Sequence, residues 1–217
     1  MIIKRLFLFT VLSFFCFLLP LKAQNWDINT LHDINSLDGK FARNYSKVIS
    51  KSTLYLAAGI PLGIGAYALL NKKQPLLQDA LFIGTSVAEA VVLSSGIKEL
   101  VNRERPFDRY PDLIEQRDFP KSASFPSGHT AAAFSLATSL SLKYPKWYVI
   151  APSALWACSV GFARMNQGVH YPSDVIGGAV IGFGCAVANI YINRWLNNFL
   201  FPTKEQKNFK TKEMNKI

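Results

Sequence analysis

Apolar residues occur along this chain in long uninterrupted runs separated by short polar links, a pattern that predicts membrane-spanning helices. Five such runs follow residue 53. They are Leu54–Leu70, Ala80–Ile97, Thr130–Leu142, Trp147–Ala163 and Val175–Leu196. Because a span needs about 17–25 residues, the third run is long enough only if flanking polar residues belong to the same helix. The predicted fold is an all-α integral membrane bundle with five transmembrane helices.

The first 23 residues have the three parts of an exported signal peptide: a basic start, an apolar core and a small residue, Ala23, at a plausible cleavage point. A retained first transmembrane helix is the alternative, and it would raise the number of spans to six. Residues 24–53 are polar with apolar residues at helix-like intervals, which predicts an amphipathic surface segment or a packing arm. The membrane core is predicted at residues 54–200, and a basic cytoplasmic tail at residues 201–217.

Composition agrees with a membrane protein. Half of the residues are apolar and only 18% are charged, and the mean hydropathy is above zero. The formal net charge of +10 favours anionic headgroups or an anionic substrate as partners. Nucleic acid is not favoured, because the basic residues are scattered and no nucleic-acid motif is present. The three cysteines show no metal-binding spacing.

The positions of the cations indicate an outward-facing anion site. If residue 24 starts outside the membrane, the lysine-rich links at residues 71–79 and 143–146 fall inside, as cytoplasmic loops should. The long link Pro106–Pro126 and the cations just before it then fall outside, against that tendency. Cations kept on the disfavoured side predict a functional use.

The first candidate cluster lies in the stretch Lys98–Pro106, "KELVNRERP". Lys98 and Arg105 are seven residues apart, close to two helical turns, which predicts that both lie on one helix face. Pro106 is predicted to end that helix. Arg103 points away from the shared face in this prediction, and we expect both it and Glu104 to be solvated charges at the rim.

The second cluster is Pro126-Ser127-Gly128-His129. Ser127 is a natural N-cap, and Gly128 would let an anion approach the backbone N–H groups at a helix N-terminus. His129 would lie at the mouth of this site. A plain capped helix with a surface histidine is the alternative.

The third cluster contains Arg164, His170 and Asp174. Pro172 suits the first turn of a helix, which puts Asp174 in that turn, four residues after His170. A carboxylate there can accept the Nδ1 proton and leave Nε2 free as a nucleophile or base. A structural His–Asp pair is the alternative.

Together, the three clusters provide cations, a helix N-terminus, two histidines and a carboxylate on one side of the membrane. This set fits phosphoryl transfer, in which cations and N–H groups hold the phosphate oxygens while one histidine attacks and another protonates the leaving oxygen. No dense carboxylate cluster for Mg²⁺ or Ca²⁺ occurs in the sequence, so we expect neither a metal nor another cofactor.

These segments resemble the signature of the type 2 phosphatidic acid phosphatase superfamily, which includes vanadium haloperoxidases and glucose-6-phosphatase. That signature is a Lys, six residues and Arg-Pro, then Pro-Ser-Gly-His, then Ser-Arg, five residues, His, three residues and Asp. This chain matches every position except Ala163, which stands where the family usually has Ser. The resemblance covers roughly Leu54 to Leu196.

The resemblance implies a role for each residue. His170 would be the nucleophile that forms a phosphohistidine, Asp174 would orient it, and His129 would be the general acid. The phosphate would be bound by Lys98, Arg105 and Arg164, assisted by Ser127 and the Gly128 amide.

The expected function is a metal-independent phosphatase acting on a lipid phosphate or diphosphate at the periplasmic face of a bacterial inner membrane. Undecaprenyl diphosphate and lipid A phosphates are the favoured substrates, with phosphatidylglycerol phosphate and phosphatidic acid as further candidates. The loop Phe107–Ser124 is expected to select among them. A non-catalytic lipid-phosphate-binding or transport protein and a vanadate-dependent haloperoxidase are the alternatives.

Overall fold

The computed structural model describes residues 20–200, and it describes side-chain surroundings for residues 26–193. Within that part every regular element is a helix, which confirms the all-α prediction. The helices are α1 (Pro20–Asn35), α2 (Lys40–Leu70), α3 (Gln74–Val101), α4 (Pro106–Arg109), α5 (Gly128–Lys143), α6 (Trp147–Asn166) and α7 (Pro172–Leu200). Most of the predicted signal segment, residues 1–19, and the predicted basic tail lie outside the described residues.

Among the described residues, three stretches are long and apolar enough to cross a membrane: Lys40–Leu70, Gln74–Arg109 and Pro172–Asn193. They support a multi-pass membrane protein. Helix α5 has 16 residues, or about 24 Å at 1.5 Å per residue, which is shorter than a hydrocarbon layer of about 30 Å. The prediction of five or six spans therefore stays a prediction.

Helix α5 packs against α3, α6 and α7, and small residues make this close packing possible. The buried face of α5 is mostly alanine and serine. On α7, a Cβ added to Gly182 would lie 2.2 Å from the Ala131 carbonyl oxygen, and one added to Gly178 would lie 2.5 Å from the Ser127 oxygen. Only glycine permits so close a backbone approach. It brings the N-terminus of α5, with His129, against the first turns of α7.

The polar segment before residue 54 forms α1 and the first half of α2. Because α2 is continuous from Lys40 to Leu70, the predicted boundary between residues 53 and 54 falls inside a helix. Helix α1 packs as an arm: Leu31 is fully buried against Ile114 and Tyr171. The Asn35 side chain donates to the Asn166 carbonyl oxygen at 2.9 Å. The arm therefore covers the long loop and the start of α7.

Candidate active site

Lys98 and Arg105 come together through a chain reversal. Helix α3 ends at Val101, and Asn102 adopts a left-handed conformation with φ 44° while its N–H bonds to the Lys98 carbonyl oxygen at 2.9 Å. Asparagine tolerates this conformation better than most residues. The prediction of one shared helix face was therefore wrong. Pro106 begins α4 and is not the end of the preceding helix.

Both cations are held by neutral backbone carbonyl oxygens, most of them in the loop before α5. Lys98 Nζ donates to the Ala123 oxygen at 2.5 Å and to the Ser124 oxygen at 3.1 Å. The nearly buried Arg105 donates to the Ser122 oxygen at 2.8 Å and to the Val169 oxygen at 2.6 Å. Among the described side chains neither forms an ion pair with a carboxylate. Their positive charge thus remains available to an anion.

Arg164, in contrast, is already paired. Its Nη1 donates to Asp118 Oδ2 at 2.7 Å, to Ser50 Oγ at 2.7 Å and to Gln167 Oε1 at 2.9 Å. Burial, the largest single influence, would raise the pKa of Asp118, but the hydrogen bond and the charge of Arg164, together with a hydrogen bond from the Phe119 N–H, lower that pKa. The sequence did not single out Asp118, because nothing local distinguishes it from the other acids of the loop.

The start of α5 is built as predicted. Ser127 is the N-cap, and its Oγ accepts from the Thr130 N–H at 3.4 Å and from Thr130 Oγ1 at 2.8 Å. The neighbouring Gly128 faces Lys98, since a Cβ there would lie 4.0 Å from Lys98 Cε. The N–H groups of a helix start thus lie beside an unpaired ammonium group. Ser127 is fully buried, so its contribution to an anion site is the helix terminus that it stabilises.

His170 lies between the cations and a carboxylate. Its Nε2 is 3.5 Å from Arg105 Nη1, and its Nδ1 is 3.5 Å from Asp174 Oδ2, longer than a usual hydrogen bond of about 2.7–3.2 Å. The ring is only 2% exposed. Burial lowers the pKa of His170 to about 3, against the opposing effect of Asp174. The imidazole is therefore neutral near pH 7, as a nitrogen nucleophile must be.

The Asp174 carboxylate is fully buried and hydrogen-bonded on both oxygens. Oδ2 accepts from Ser124 Oγ at 2.5 Å and from the Tyr171 N–H at 2.9 Å, and Oδ1 accepts from Arg103 at 2.6 Å. Helix α7 begins at Pro172, which confirms the predicted position of Asp174 in the first turn. These bonds hold the carboxylate in a defined orientation beside His170.

The expectation that Arg103 is a solvated rim charge was wrong. Its guanidinium donates to Asp174 at 2.6 Å and to Asp27 at 2.9 Å, and lies 3.9 Å from the centre of the Tyr171 ring. The planar fork of arginine suits such bridging. Asp27 is 76 residues away in the chain, so no local pattern could reveal the pair. Glu104 is exposed, as expected.

Asp27, on α1, is a second residue that the sequence did not single out. It is 3% exposed, and it accepts hydrogen bonds from the Ser173 N–H at 2.8 Å and from the Ser173 hydroxyl. A lone acidic residue in a polar segment carries no signal of its own. In the fold it ties α1 to the first turn of α7, where Asp174 lies.

His129 lies where two cavities meet. One is an apolar groove of about 910 Å³ between α2 and α3, which ends at Lys98, Gly128 and His129. The other is a polar cavity of about 660 Å³ that includes His129, Arg164 and Asp118. Burial, followed by the nearby Arg164, lowers the pKa of His129 to about 4. His129 is therefore neutral near pH 7 while no anion opposes the surrounding cations.

The fold thus brings all the predicted site residues to one end of the bundle. Lys98 and Arg105 share the Ala123 carbonyl oxygen, and Arg105 reaches His170. The backbone N–H of Ser127 donates to the Asp174 carbonyl oxygen at 3.0 Å. His129 and Arg164 line the same polar cavity.

Known proteins similar to this chain include one named as a transport protein and one named as a lipid phosphatase. The chain is 28% identical over 204 residues to a Bacillus licheniformis protein named bacitracin transport permease protein BcrC, covering 86% of this chain and 96% of that one. It is 32% identical over 145 residues to a lipid A 1-phosphatase of Rhizobium etli, covering 59% of this chain. The chain spans about 60% of the length of that rhizobial relative.

Among solved structures, LpxE of Aquifex aeolicus matches with a TM-score of 0.62 and 27% identity, covering 76% of this chain and 95% of that chain. Residues 79–198 match the family model described as the PAP2 superfamily. That match covers more than half of the chain and contains the three clusters of predicted site residues. The chain therefore belongs to the PAP2 superfamily, the type 2 phosphatidic acid phosphatases.

Proposed function

We propose that this protein is a metal-independent membrane phosphatase that removes a phosphate from a lipid phosphate or diphosphate through a phosphohistidine intermediate. One observation carries the proposal: Arg105, which has no carboxylate partner among the described side chains, lies beside the neutral ring of His170, with its Nη1 3.5 Å from Nε2, and shares the Ala123 carbonyl oxygen with Lys98. Such a site can hold an anion next to a nucleophile, because no described carboxylate pairs with the two cations.

In the proposed first step, Nε2 of His170 attacks phosphorus and the bond to the lipid oxygen breaks. Lys98, Arg105 and Arg164, together with the N–H groups at the start of α5, bind the non-bridging oxygens and stabilise the transition state. The imidazole gains positive charge as the P–N bond forms. The negative charge of Asp174, at 3.5 Å from Nδ1, stabilises that positive charge and keeps the ring in position.

His129 is proposed to donate a proton to the leaving lipid oxygen and then to take one from the water that hydrolyses the phosphohistidine. The low pKa of His129, about 4, disfavours the protonated ring that the first role needs. A bound phosphate dianion, however, offsets the charge of Arg164 and the neighbouring cations, and this raises the pKa of His129. Substrate binding thus favours the protonated form of His129, which supplies the proton that the leaving group needs.

The apolar groove supports a lipid as the substrate. Its volume of about 910 Å³ lies within the range of about 300–1,000 Å³ that is usual for ligand pockets. Most of the residues that line it are apolar or small residues of α2 and α3, such as Leu69 and Leu77. Lys98 and His129 lie at its polar end. A chain lying in it would leave its phosphate ester at His129.

Lipid A phosphates and undecaprenyl diphosphate remain the favoured substrates, with phosphatidylglycerol phosphate and phosphatidic acid as further candidates. The name of the rhizobial relative, a lipid A 1-phosphatase, supports the first class. The loop Phe107–Ser124 is proposed to influence the choice, because it contributes Asp118 to Arg164 and carbonyl oxygens to both unpaired cations.

The proposal includes a location and a division of the chain. We place the site at the periplasmic face of a bacterial inner membrane, because the positive-inside tendency puts the lysine-rich links on the other side. Residues 1–23 are proposed as a signal peptide or first transmembrane helix, residues 24–53 as an interfacial segment, residues 54–200 as the core, and residues 201–217 as a cytoplasmic tail.

A non-catalytic lipid-binding or transport protein is the second candidate, and the name of the Bacillus relative favours it. The two candidates differ in what happens to the bound phosphate. An enzyme releases inorganic phosphate from the lipid, whereas a binder or carrier leaves the ester intact. The neutral, buried state of His170 supports the enzyme.

The test is phosphate release by the purified protein in detergent micelles from each of the four lipid classes, with and without EDTA. We expect release from at least one class, unchanged by EDTA. His170→Ala should lower turnover at least about 10³-fold, as expected for loss of a nucleophile, while the variant still inserts into membranes.

His32→Ala is the matched control, because this exposed histidine only bonds the Leu113 carbonyl oxygen, at 3.0 Å. It should retain turnover. Lipid binding without phosphate release by the wild type would favour the binder. Activity lost in EDTA and restored by Mg²⁺ would contradict the metal-free mechanism.

A further inference from the structure

The polar cavity next to the candidate active site is larger than a single transferred phosphate needs. It measures about 660 Å³ and extends from His129 and Arg164 along the first half of α2. The loop residues Glu115–Asp118 form another wall. The proposed substrate chain lies in the apolar groove on the other side of His129, so this cavity is left for the polar part of a ligand.

Charge in this cavity is strongly unbalanced. Five cationic side chains and two carboxylates line it: Arg43, Lys47, Lys51, Arg117, Arg164, Glu115 and Asp118. Three of the cations already have partners. Arg43 and Arg117 bind Glu115 at 2.9 and 2.8 Å, and Arg164 binds Asp118 at 2.7 Å. In the part of the chain with described side chains, neither Lys47 nor Lys51 pairs with a carboxylate.

The stretch of α2 that carries the two lysines has a fixed position relative to Arg164. Lys47 and Lys51 are four residues apart on α2, so both lie on one face of the helix. Between them, the buried Ser50 accepts a hydrogen bond from Arg164 at 2.7 Å. This bond ties the same stretch of α2 to a predicted phosphate ligand. The lysines therefore sit on a rigid element within about one helical turn of that contact.

We propose that the polar cavity is a second anion subsite, in which Lys47 and Lys51 bind a phosphate group of the lipid substrate that is not itself transferred. This inference rests on the proposed lipid phosphatase function. It assigns the substrate to lipids that carry two phosphates, either as a diphosphate or on separate positions of a headgroup. Because a lysine ammonium is a flexible point charge, the pair can accept a phosphate whose position varies between such lipids.

General attraction of the lysines to an anionic bilayer surface is the simpler explanation of the same charges. It predicts a different result, because surface attraction acts on every anionic lipid and does not depend on a second phosphate. It is also weak in micelles of nonionic detergent, where the dilute substrate molecules supply the only charge. The number of phosphates on the substrate therefore separates the two explanations.

The test compares Lys47→Gln/Lys51→Gln with wild type in nonionic micelles at constant ionic strength. The substrates form two matched pairs: phosphatidic acid with diacylglycerol diphosphate, and a lipid disaccharide carrying one phosphate with the same lipid carrying two. For two-phosphate lipids we expect KM to rise about 10-fold, as for the loss of charge-assisted hydrogen bonds, with little change in kcat. For one-phosphate lipids KM should change less than about 2-fold.

Lys40→Gln/Lys72→Gln is the matched control, since it removes the same charge at exposed positions outside the cavity. A KM effect confined to diacylglycerol diphosphate supports a subsite adjacent to the transferred phosphate, and one confined to the disaccharide supports a more distant one. Equal effects on one-phosphate lipids, or no effect beyond the control, would overturn the subsite. Absence of hydrolysis by the wild type on these four lipids and also on undecaprenyl diphosphate and phosphatidylglycerol phosphate would overturn the proposed function itself.

Discussion

Arg103 and Arg105 are two residues apart, yet they have opposite electrostatic surroundings. Arg103 bridges two carboxylates, Asp27 and Asp174, at 2.9 and 2.6 Å. Arg105 donates to the backbone oxygens of Ser122, Ala123 and Val169 and lies beside His170. The first charge is neutralised within the protein, whereas the second is held in place without being neutralised.

This difference separates a structural cation from one that can bind a ligand. A carbonyl oxygen accepts hydrogen bonds from a guanidinium without cancelling its charge. The positive charge therefore still attracts a phosphate. Arg164 is intermediate: it is paired with Asp118, whose side chain is 44% exposed on the long loop. An incoming phosphate must compete with that carboxylate for Arg164, whereas at Arg105 it meets only neutral oxygens among the described residues.

The largest effect is expected from Arg105→Gln. It should lower kcat/KM by about 10²–10³-fold, the usual cost of removing one transition-state donor. Arg105→Lys should recover part of the loss, because it restores the charge without the planar fork. Steady-state phosphate release measures both. A kcat/KM within tenfold of wild type for Arg105→Gln would show that its charge is not used.

Arg103→Gln should mainly affect stability, since it leaves two buried carboxylates without their cation. Breaking a buried ion pair costs about 3–5 kcal/mol. Because the Arg103 side chain is 27% exposed, we expect a smaller loss, about 2 kcal/mol in the free energy of unfolding. Thermal unfolding in detergent measures this change.

Adding Asp27→Asn to Arg103→Gln should restore part of that stability, because it removes one of the uncompensated charges. Arg109→Gln is the control, since Arg109 is exposed and its guanidinium lies 5.8 Å from the centre of the Tyr110 ring. If Arg103→Gln lowers the free energy of unfolding no more than Arg109→Gln does, Arg103 is not a structural cation and its contrast with Arg105 does not hold.

The smallest effect is expected from Asp118→Asn, which frees Arg164 for phosphate. Inhibition by inorganic phosphate should become about 3–5-fold stronger, in keeping with less than about 1 kcal/mol for a partly exposed pair. Glu115→Gln is the matched control, since its carboxylate binds Arg43 and Arg117 and not Arg164. An inhibition constant that shifts equally in both variants would show that Asp118 does not compete with phosphate for Arg164.

Local features of the site were predictable from the sequence. Ser127 caps α5 and Pro172 starts α7 as expected, because capping and proline placement depend only on residues within one helical turn. The convergence of Lys98 and Arg105 was predicted for the wrong reason. A left-handed Asn102 replaced the expected continuous helix, and sequence spacing by itself does not distinguish the two.

The sequence by itself determined where the apolar helices lie and which side chains can carry the chemistry, because hydrophobic runs and residue types are properties of short segments. Only the tertiary structure decided which cations are neutralised. The carboxylate partners of Arg103 lie 76 and 71 residues away in the chain, and that of Arg164 lies 46 residues away. Such pairs form only when helices and loops pack. The same packing creates the two cavities at His129 and leaves Lys98 and Arg105 without a carboxylate partner among the described side chains.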